Sequence, residues 1–372
     1  ARVARAPIAA ITGSNGKSTV TTLLGDMARR AGRSVGVGGN LGPPALELLP
    51  FPSWIHADGS DGAPSVSEPD LYVLELSSFQ LETTYSLAPS VAAFLNVSAD
   101  HMDRYEDFDA YVRAKMRVFN GARKAVISRE DRVVGAACSR LSPQVDVVRF
   151  GTGVPELGDF GVSVYAEEPW LCRGETSGLK WLLPVREVPL VGAHNVANVL
   201  AALALADALD IAIDPALDAI REFRALSHRC ELVSRGASRV WVNDSKGTNV
   251  GATAAAVAGL SGEGPVVLIA GGDGKGADFE PLGEAVAGRV RAAVLLGRDA
   301  HRIANELESH VPCHFVEAMD QAVETAYAHS LPGDVIALSP ACASWDMYPN
   351  YQARGAEFAA LVRAFVTRED AA

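Results

Sequence analysis

The sequence is poor in cysteine, in basic charge and in long apolar runs, and each shortage excludes something. Its five cysteines (Cys138, Cys172, Cys230, Cys313 and Cys342) are scattered, odd in number and form no CxxC. Neither a disulfide framework nor a zinc knuckle is expected, and a reducing cytoplasm fits. Lysine plus arginine is 33 against 45 aspartate plus glutamate, a net charge of −12. The long-range field of such a chain repels polyanions, which disfavours a nucleic-acid or anionic-membrane binder. Small anionic substrates held by local groups remain open. No stretch approaches the roughly 20 apolar residues of a membrane helix. The richest, residues 196–209, is interrupted by Asn198 and Asp207. The opening ARVARAPIAAITG carries no secretory pattern and no initiating Met, and we read it as a cut start.

What is present is an ordinary globular composition, 48% apolar and 21% charged. At roughly 150 residues per domain, 372 residues suggest two or three domains. Strand and helix signals alternate from the start, which argues for mostly parallel sheet covered on both faces. Residues 7–12 read as a strand, 13–16 as a tight loop, and 17–30 as a helix with Val20, Leu23, Leu24 and Met27 on one face. Short strands are expected at 34–37, 71–76 and 91–96, and a helix over 105–120. Residues 51–70, rich in Pro, Gly, Ser and Asp, read as a solvated loop. Residues 145–184 carry short β-rich runs without a good helix, and helices follow at 195–209 and 215–223. Alternation then restarts, so the reading divides the chain at 1–225 and 226–372.

The sharpest motif is Thr12-Gly13-Ser14-Asn15-Gly16-Lys17-Ser18-Thr19, between a strand and a helix. Backbone N–H groups of such a turn, with the helix N-terminus, cradle phosphate. Lys17 supplies charge to the outer phosphates, and the Ser18 hydroxyl can ligate Mg²⁺. The spacing is a shortened variant, because Ile11 stands where the standard pattern has its first glycine. Glu75 ends an apolar strand, where a charge is costly unless paired or metal-bound. There it can complete a Mg²⁺ site, the plainer alternative being a solvated edge glutamate. His101 follows another strand within NVSADHMDR. By spacing alone, Lys115 belongs with the surface lysines. Asn195 and Asn198 share a helix face. Their amides suit a purine edge, or serve as an N-cap and a surface residue. Three polar loops follow strands in the second half: 243–249, 271–276 and 339–344. Strand carboxyl ends are the usual edge for an α/β site.

Taken together, these segments resemble the Mur ligases, ATP-dependent amide-forming enzymes of peptidoglycan synthesis. The resemblance is carried by ITGSNGKST, VGGNLG, YVLELSSFQLETT, NVSADHMDR, YVRAKMR, HNVANVLAALALAD, LSHRCE, WVNDSKGTNVGAT, GGDGKGADF and SPACASWDMYPNYQARGAEF, in family order along nearly the whole chain. It implies a P-loop-type central ATPase domain and a Rossmann-like C-terminal α/β domain, with ATP between them. It also implies a reaction: a carboxylate attacks the γ-phosphate, and an amine captures the acyl phosphate. SSFQLETT and the last segment point to the members that add D-glutamate to UDP-N-acetylmuramoyl-L-alanine.

The resemblance also assigns residues. Gly13, Ser14, Asn15, Gly16, Lys17, Ser18 and Thr19 would hold the phosphates, and Asn195 and Asn198 adenine. Arg229 and Asp244 would hold phosphate and ribose, with Lys246 beside them. Ser18 and Glu75 would bind one Mg²⁺. His101 would bind a second with Lys115, carbamylated by CO₂ and no longer a surface lysine. Lys246, Thr248, Lys275, Ser344 and Tyr351 would surround D-glutamate, and Asn40 would lie near the acyl donor. Lys17, His101 and Lys115 are the catalytic candidates.

Tyr351 and Trp345 depart from the family pattern, which leads us to expect Phe and a smaller apolar residue there. The family's N-terminal uridine-diphosphate-gripping domain is expected to be missing, with UDP-sugar affinity reduced. A cytoplasmic monomer is expected, without nucleic-acid or membrane partners. Two alternatives stay open: a related amide ligase such as a folylpolyglutamate synthase, and a nucleotide-binding fragment without ligase activity.

Overall fold

A computed structural model describes residues 4–50, 67–102 and 104–371. The chain divides into two compact units. Ala1–Val97, Tyr105–Pro189 and Val196–Phe223 form the first; Ser98–Arg104, Leu190–Asn195 and Arg224–Ala372 form the second. Two short segments before residue 226 therefore group with the second unit. Most of the loop expected over 51–70, residues 51–66, lies outside the described residues.

Among the described residues, the first unit is built on nine strands. In chain order its elements are β1 (Ile8–Thr12), α1 (Lys17–Arg30), β2 (Val35–Gly39), β3 (Leu71–Glu75), α2 (Ser78–Glu82), β4 (Val91–Phe94), α3 (Phe108–Met116), β5 (Lys124–Ser128), α4 (Arg132–Cys138), β6 (Asp146–Phe150), β7 (Phe160–Tyr165), β8 (Glu168–Glu175), β9 (Gly178–Pro184), α5 (Ala193–Ala208) and α6 (Ile213–Glu222). The sheet order is β2-β3-β1-β4-β5-β6-β7-β8-β9. From β2 to β7 the pairings are parallel, and β7–β8 and β8–β9 are antiparallel. β1, β3 and β4 are buried at every position, as strands covered on both faces must be. The carboxyl end of central β1 is flanked by those of β3 and β4, and the loop of residues 13–16 leaves from there.

Helix α1 has the bounds read from the sequence, and Val20, Leu23, Leu24 and Met27 are its buried face. The helix expected over 105–120 is shorter. The Asp107 carboxylate accepts a 2.6 Å bond from the Ala110 N–H and starts it at Phe108. A 3₁₀ turn, Arg117–Phe119, closes it. The four strands β6–β9 account for the β-rich 145–184.

The second unit holds β10 (Glu231–Ser234), β11 (Val240–Asn243), α7 (Val250–Leu260), β12 (Val266–Gly271), α8 (Glu280–Val286), β13 (Val290–Leu296), α9 (Ala300–Leu307), β14 (Cys313–Phe315), α10 (Met319–Ala328), β15 (Val335–Leu338) and α11 (Tyr351–Glu369). The order is β10-β11-β15-β12-β13-β14, with only β10 antiparallel. Alternation along the strands feeds two cores. Leu268, Ala270, Ala293 and Leu295 enter one, while Val267, Ile269, Val294 and Leu296 enter the other. Both faces are covered, which leaves the strand ends for chemistry. Among the described residues, no helix is long and apolar enough to cross a membrane.

Candidate functional site

In the first unit the site grows from the turn after β1. Gly16 caps α1 in a left-handed conformation, φ +80°. A Cβ there would come within 2.2 Å of the Asn198 Oδ1, so only glycine fits both the backbone and its neighbour. Asn96, just past β4, holds the turn from the other side. Its carbonyl accepts from the Ser14 N–H at 2.9 Å. Its side-chain amide exchanges two bonds with the Asn15 backbone, at 2.8 and 3.1 Å. The turn is thereby preshaped and leads directly into the first turn of α1, an arrangement suited to phosphate.

Two ammonium groups converge on one carbonyl. Lys17 Nζ donates to Gly13 O and Ser14 O, both at 2.9 Å. Lys115 Nζ, reaching from α3, donates to the same Gly13 O at 2.8 Å. The surface reading of Lys115 is therefore wrong. The residue is 2% exposed, its ammonium lies 4.5 Å from the Tyr111 ring centroid, and the Gly13 carbonyl replaces its lost water. Tyr111 is itself buried, with its hydroxyl 3.1 Å from Ser14 Oγ.

Glu75 is no solvated edge residue either. It is 2% exposed at the end of an interior strand. Its Oε2 accepts a 2.6 Å bond from the Ser18 hydroxyl, and its Oε1 accepts a 2.7 Å bond from the Asn40 amide. Asn40 also donates its backbone N–H to Glu75 O at 2.8 Å. The donor set, a buried carboxylate with a hydroxyl beside it, is hard and oxygen-only and fits one divalent cation such as Mg²⁺. Thr19, in the first turn of α1, is buried.

Asn195 and Asn198 part company despite their helical spacing. The Asn195 amide donates to Val191 O at 2.8 Å, while Asn198 packs on Gly16. His101 is described with the second unit. It adopts φ +59°, and its Nε2 lies 3.7 Å from Asp100 Oδ2. That same oxygen accepts a 3.1 Å bond from the Asn249 amide.

In the second unit three loops leave the carboxyl ends of β11, β12 and β15. After β11, Asp244 is buried and accepts from the Cys230 N–H at 3.2 Å and the Ser339 hydroxyl at 2.7 Å. Burial pushes its carboxyl up to about 6, against those bonds and the attraction of Arg229. Lys246 Nζ sits 4.3 Å from the Tyr351 ring centroid, a cation–π contact. Thr248 N–H closes on Lys246 O at 2.8 Å. The β12 and β15 loops are joined directly: Asp273 and Ala343 exchange two backbone bonds of 2.9 Å. Gly272, at φ +126°, permits this, since a Cβ there would meet Ala343 O at 2.2 Å. Lys275 is exposed at φ +52°, Ser344 is buried, and Trp345 is 68% exposed. Burial pushes the Cys342 thiol of this loop to about 12, which leaves it protonated and no nucleophile.

Three residues missed by the sequence reading organise these loops: Asn96, Tyr111 and Arg354. Asn96 and Tyr111 lay inside quoted motifs, where a polar residue closing an apolar strand and a tyrosine one turn before Lys115 were the available signals. Arg354, one turn into α11, offered none beyond its motif.

The preshaped turn, its paired lysines and the Ser18–Glu75 pair, at the strand ends of an α/β sheet, suit a phosphate-bearing ligand. A model of the Mur ligase middle domain matches residues 11–206, and one of the Mur ligase glutamate ligase domain matches 228–342. The chain belongs to the Mur ligase family, whose members are ATP-dependent and form amide bonds. It is 48% identical over 363 residues to the UDP-N-acetylmuramoylalanine–D-glutamate ligase of Nitrosococcus oceani, covering 98% of this chain and 75% of that protein. Among solved structures it resembles MurF ligase from Thermotoga maritima in complex with ADP, with a TM-score of 0.69, 15% identity and coverage of 98% and 81%. It also resembles the folylpolyglutamate synthase of Mycobacterium tuberculosis, with a TM-score of 0.66, 16% identity and coverage of 95% and 91%. At those identities the two structures speak to the fold alone.

Proposed function

We propose that this chain joins D-glutamate to UDP-N-acetylmuramoyl-L-alanine at the expense of ATP, through an acyl phosphate, as a cytoplasmic monomer in peptidoglycan synthesis. The observation that carries the substrates is the 48% identity, over 98% of this chain, to a ligase named for them. A carboxylate and an amine do not condense in water, because the carboxylate is a poor electrophile. Transfer of the γ-phosphoryl group to a carboxylate oxygen releases ADP and creates a leaving group. Attack of the amine on the acyl carbon then expels phosphate.

Each candidate residue has work in this scheme. The turn of residues 13–19 would take the phosphates, with Lys17 moving from the carbonyls of Gly13 and Ser14 to the transferring group. Ser18 and Glu75 would hold one Mg²⁺. His101 and a carbamylated Lys115 would hold another. These ions would neutralise charge developing on the phosphoryl oxygens. Asn195 and Asn198 would meet adenine, and Arg229, Asp244 and Lys246 would meet phosphate and ribose. Thr248, Lys275, Ser344 and Tyr351, with Lys246, would orient the amino acid for attack. Asn40, already bonded to Glu75, would lie beside the acid substrate. The domain roles follow the same division: residues 1–225 would carry most of the ATP site, and 226–372 the amino-acid site together with the groups that meet phosphate and ribose.

The test is phosphate release with ATP, UDP-N-acetylmuramoyl-L-alanine and a panel of amino acids. Release should require D-glutamate and should fail with L-glutamate, L-lysine and diaminopimelate. Release driven instead by a folate and L-glutamate would replace the proposal with the folate-ligase reading.

A further inference from the structure

Arg354 is 3% exposed and makes no ion pair among the described residues. A buried guanidinium without a carboxylate is expensive, and it is tolerated only where its N–H groups find acceptors. Here the acceptors come from three different loops. Nη2 donates to Ser245 O at 2.8 Å and to Cys342 O at 3.1 Å, Nη1 to Gly271 O at 3.4 Å, and Nε to the Ser245 hydroxyl at 3.0 Å. That hydroxyl in turn donates to Tyr351 O at 2.8 Å, tying the start of α11 into the same network. Gly272 leaves the room: a Cβ there would lie 3.3 Å from Nη1. Burial lowers the guanidinium to about 10, so it stays charged at neutral pH.

We propose that Arg354 is a positioning residue for the amino-acid substrate. Its single planar fork sets the spacing of the loops that carry Lys246, Lys275 and Ser344, and its charge, drawn on by Asp346 and Asp244 but held in no ion pair among the described residues, makes their floor attractive to a dicarboxylic amino acid. A tie needed for stability alone could be made by neutral donors without the cost of burying a charge. The positive charge is what an anionic substrate would feel. This rests on the reading that these loops receive the amino acid.

The experiment uses the full chain with Arg354→Lys and Arg354→Ala. Melting curves check folding, and initial rates are measured with the amino acid and ATP varied in turn. Arg354→Lys keeps the charge and loses the fork; the amino-acid KM should rise about tenfold, with the ATP KM within about twofold. Arg354→Ala should raise the amino-acid KM about a hundredfold, and millimolar guanidinium ion should recover part of that loss. Should Arg354→Ala fail to fold, Ser245→Ala removes one acceptor only and must still raise the amino-acid KM more than the ATP KM. Equal shifts in both KM values, or an unchanged amino-acid KM in a folded variant, would overturn the inference. Failure of the unmutated chain to release phosphate with any amino acid would instead remove the reading on which it rests.

Discussion

The Ser18 hydroxyl and the Glu75 carboxylate, 57 residues apart in sequence, meet in a 2.6 Å hydrogen bond with both residues almost wholly buried. A strand end and a helix start supply one hard donor each, which makes the pair a test of the metal assignment. Glu75→Gln keeps the shape and removes the charge. Its melting temperature should stay within a few degrees of the parent, while ATP turnover should fall at least about a hundredfold and no longer respond to Mg²⁺ titration. Undiminished turnover would remove Glu75 from the metal site.

Lys115 tests the carbamate. Lys115→Ala should lose about a hundredfold or more in turnover, and short-chain carboxylates should restore part of it by supplying the missing anionic oxygens. Absence of rescue across a wide concentration range would mean that Lys115 acts as an ammonium, as its bond to Gly13 O would then suggest.

Lys17 is tied to its own turn through Gly13 O and Ser14 O. Lys17→Ala should therefore leave the fold intact and abolish ATP turnover. Circular dichroism and a coupled ADP assay would check both halves. A variant that turns over ATP at more than about one-tenth the parental rate would contradict the phosphate role.

Gly16→Ala should destabilise the first unit twice over, through φ +80° and through the 2.2 Å approach to Asn198 Oδ1. The left-handed backbone alone costs about 1–2 kcal/mol. Adding Asn198→Ala should recover the steric part and leave the backbone part, so the two substitutions should be non-additive in denaturant titrations.

His194 predicts a pH dependence. Its Nδ1 is shielded without a partner, its ring packs on Gly192 and Gly259, and burial lowers it to about 4. Between about pH 6.5 and 4 the unfolded chain binds the proton more readily. Stability from this residue is full above 6.5 and is lost as pH falls, by an amount on the order of 3 kcal/mol. Asp244 runs the other way: its raised value makes the folded state the better proton binder, so its contribution weakens as pH rises from 3.8 through 6. Comparing melting temperatures of His194→Gln and the parent from pH 7 to 4 separates them. The variant should lose less on acidification.

Much of the fold was legible because both faces of its sheets are covered. Apolar runs such as the one ending at Thr12 have no competing reading, and α1 appears with the expected bounds. β5 was missed because Lys124-Ala-Val-Ile-Ser is too short to show a period. The Asn350 cap that starts α11 was not picked out, because it lay inside a segment that carried no helix signal of its own at that point. Lys115 shows the limit of local reading. Spacing along α3 made it one cation among several, whereas its environment is set by Gly13, 102 residues away. Arg354 is the same case on a larger scale: its acceptors come from Ser245, Gly271 and Cys342, which only the folded sheet brings together.

The central claim is that an acid is activated by phosphoryl transfer before the amine attacks, and isotope transfer tests it most directly. UDP-N-acetylmuramoyl-L-alanine labelled with ¹⁸O in its carboxylate is incubated with the chain, ATP and D-glutamate, and the released phosphate is analysed by mass. One labelled oxygen should appear in each phosphate released. Phosphate released without label would contradict the account, because water rather than the carboxylate would then have taken the phosphoryl group.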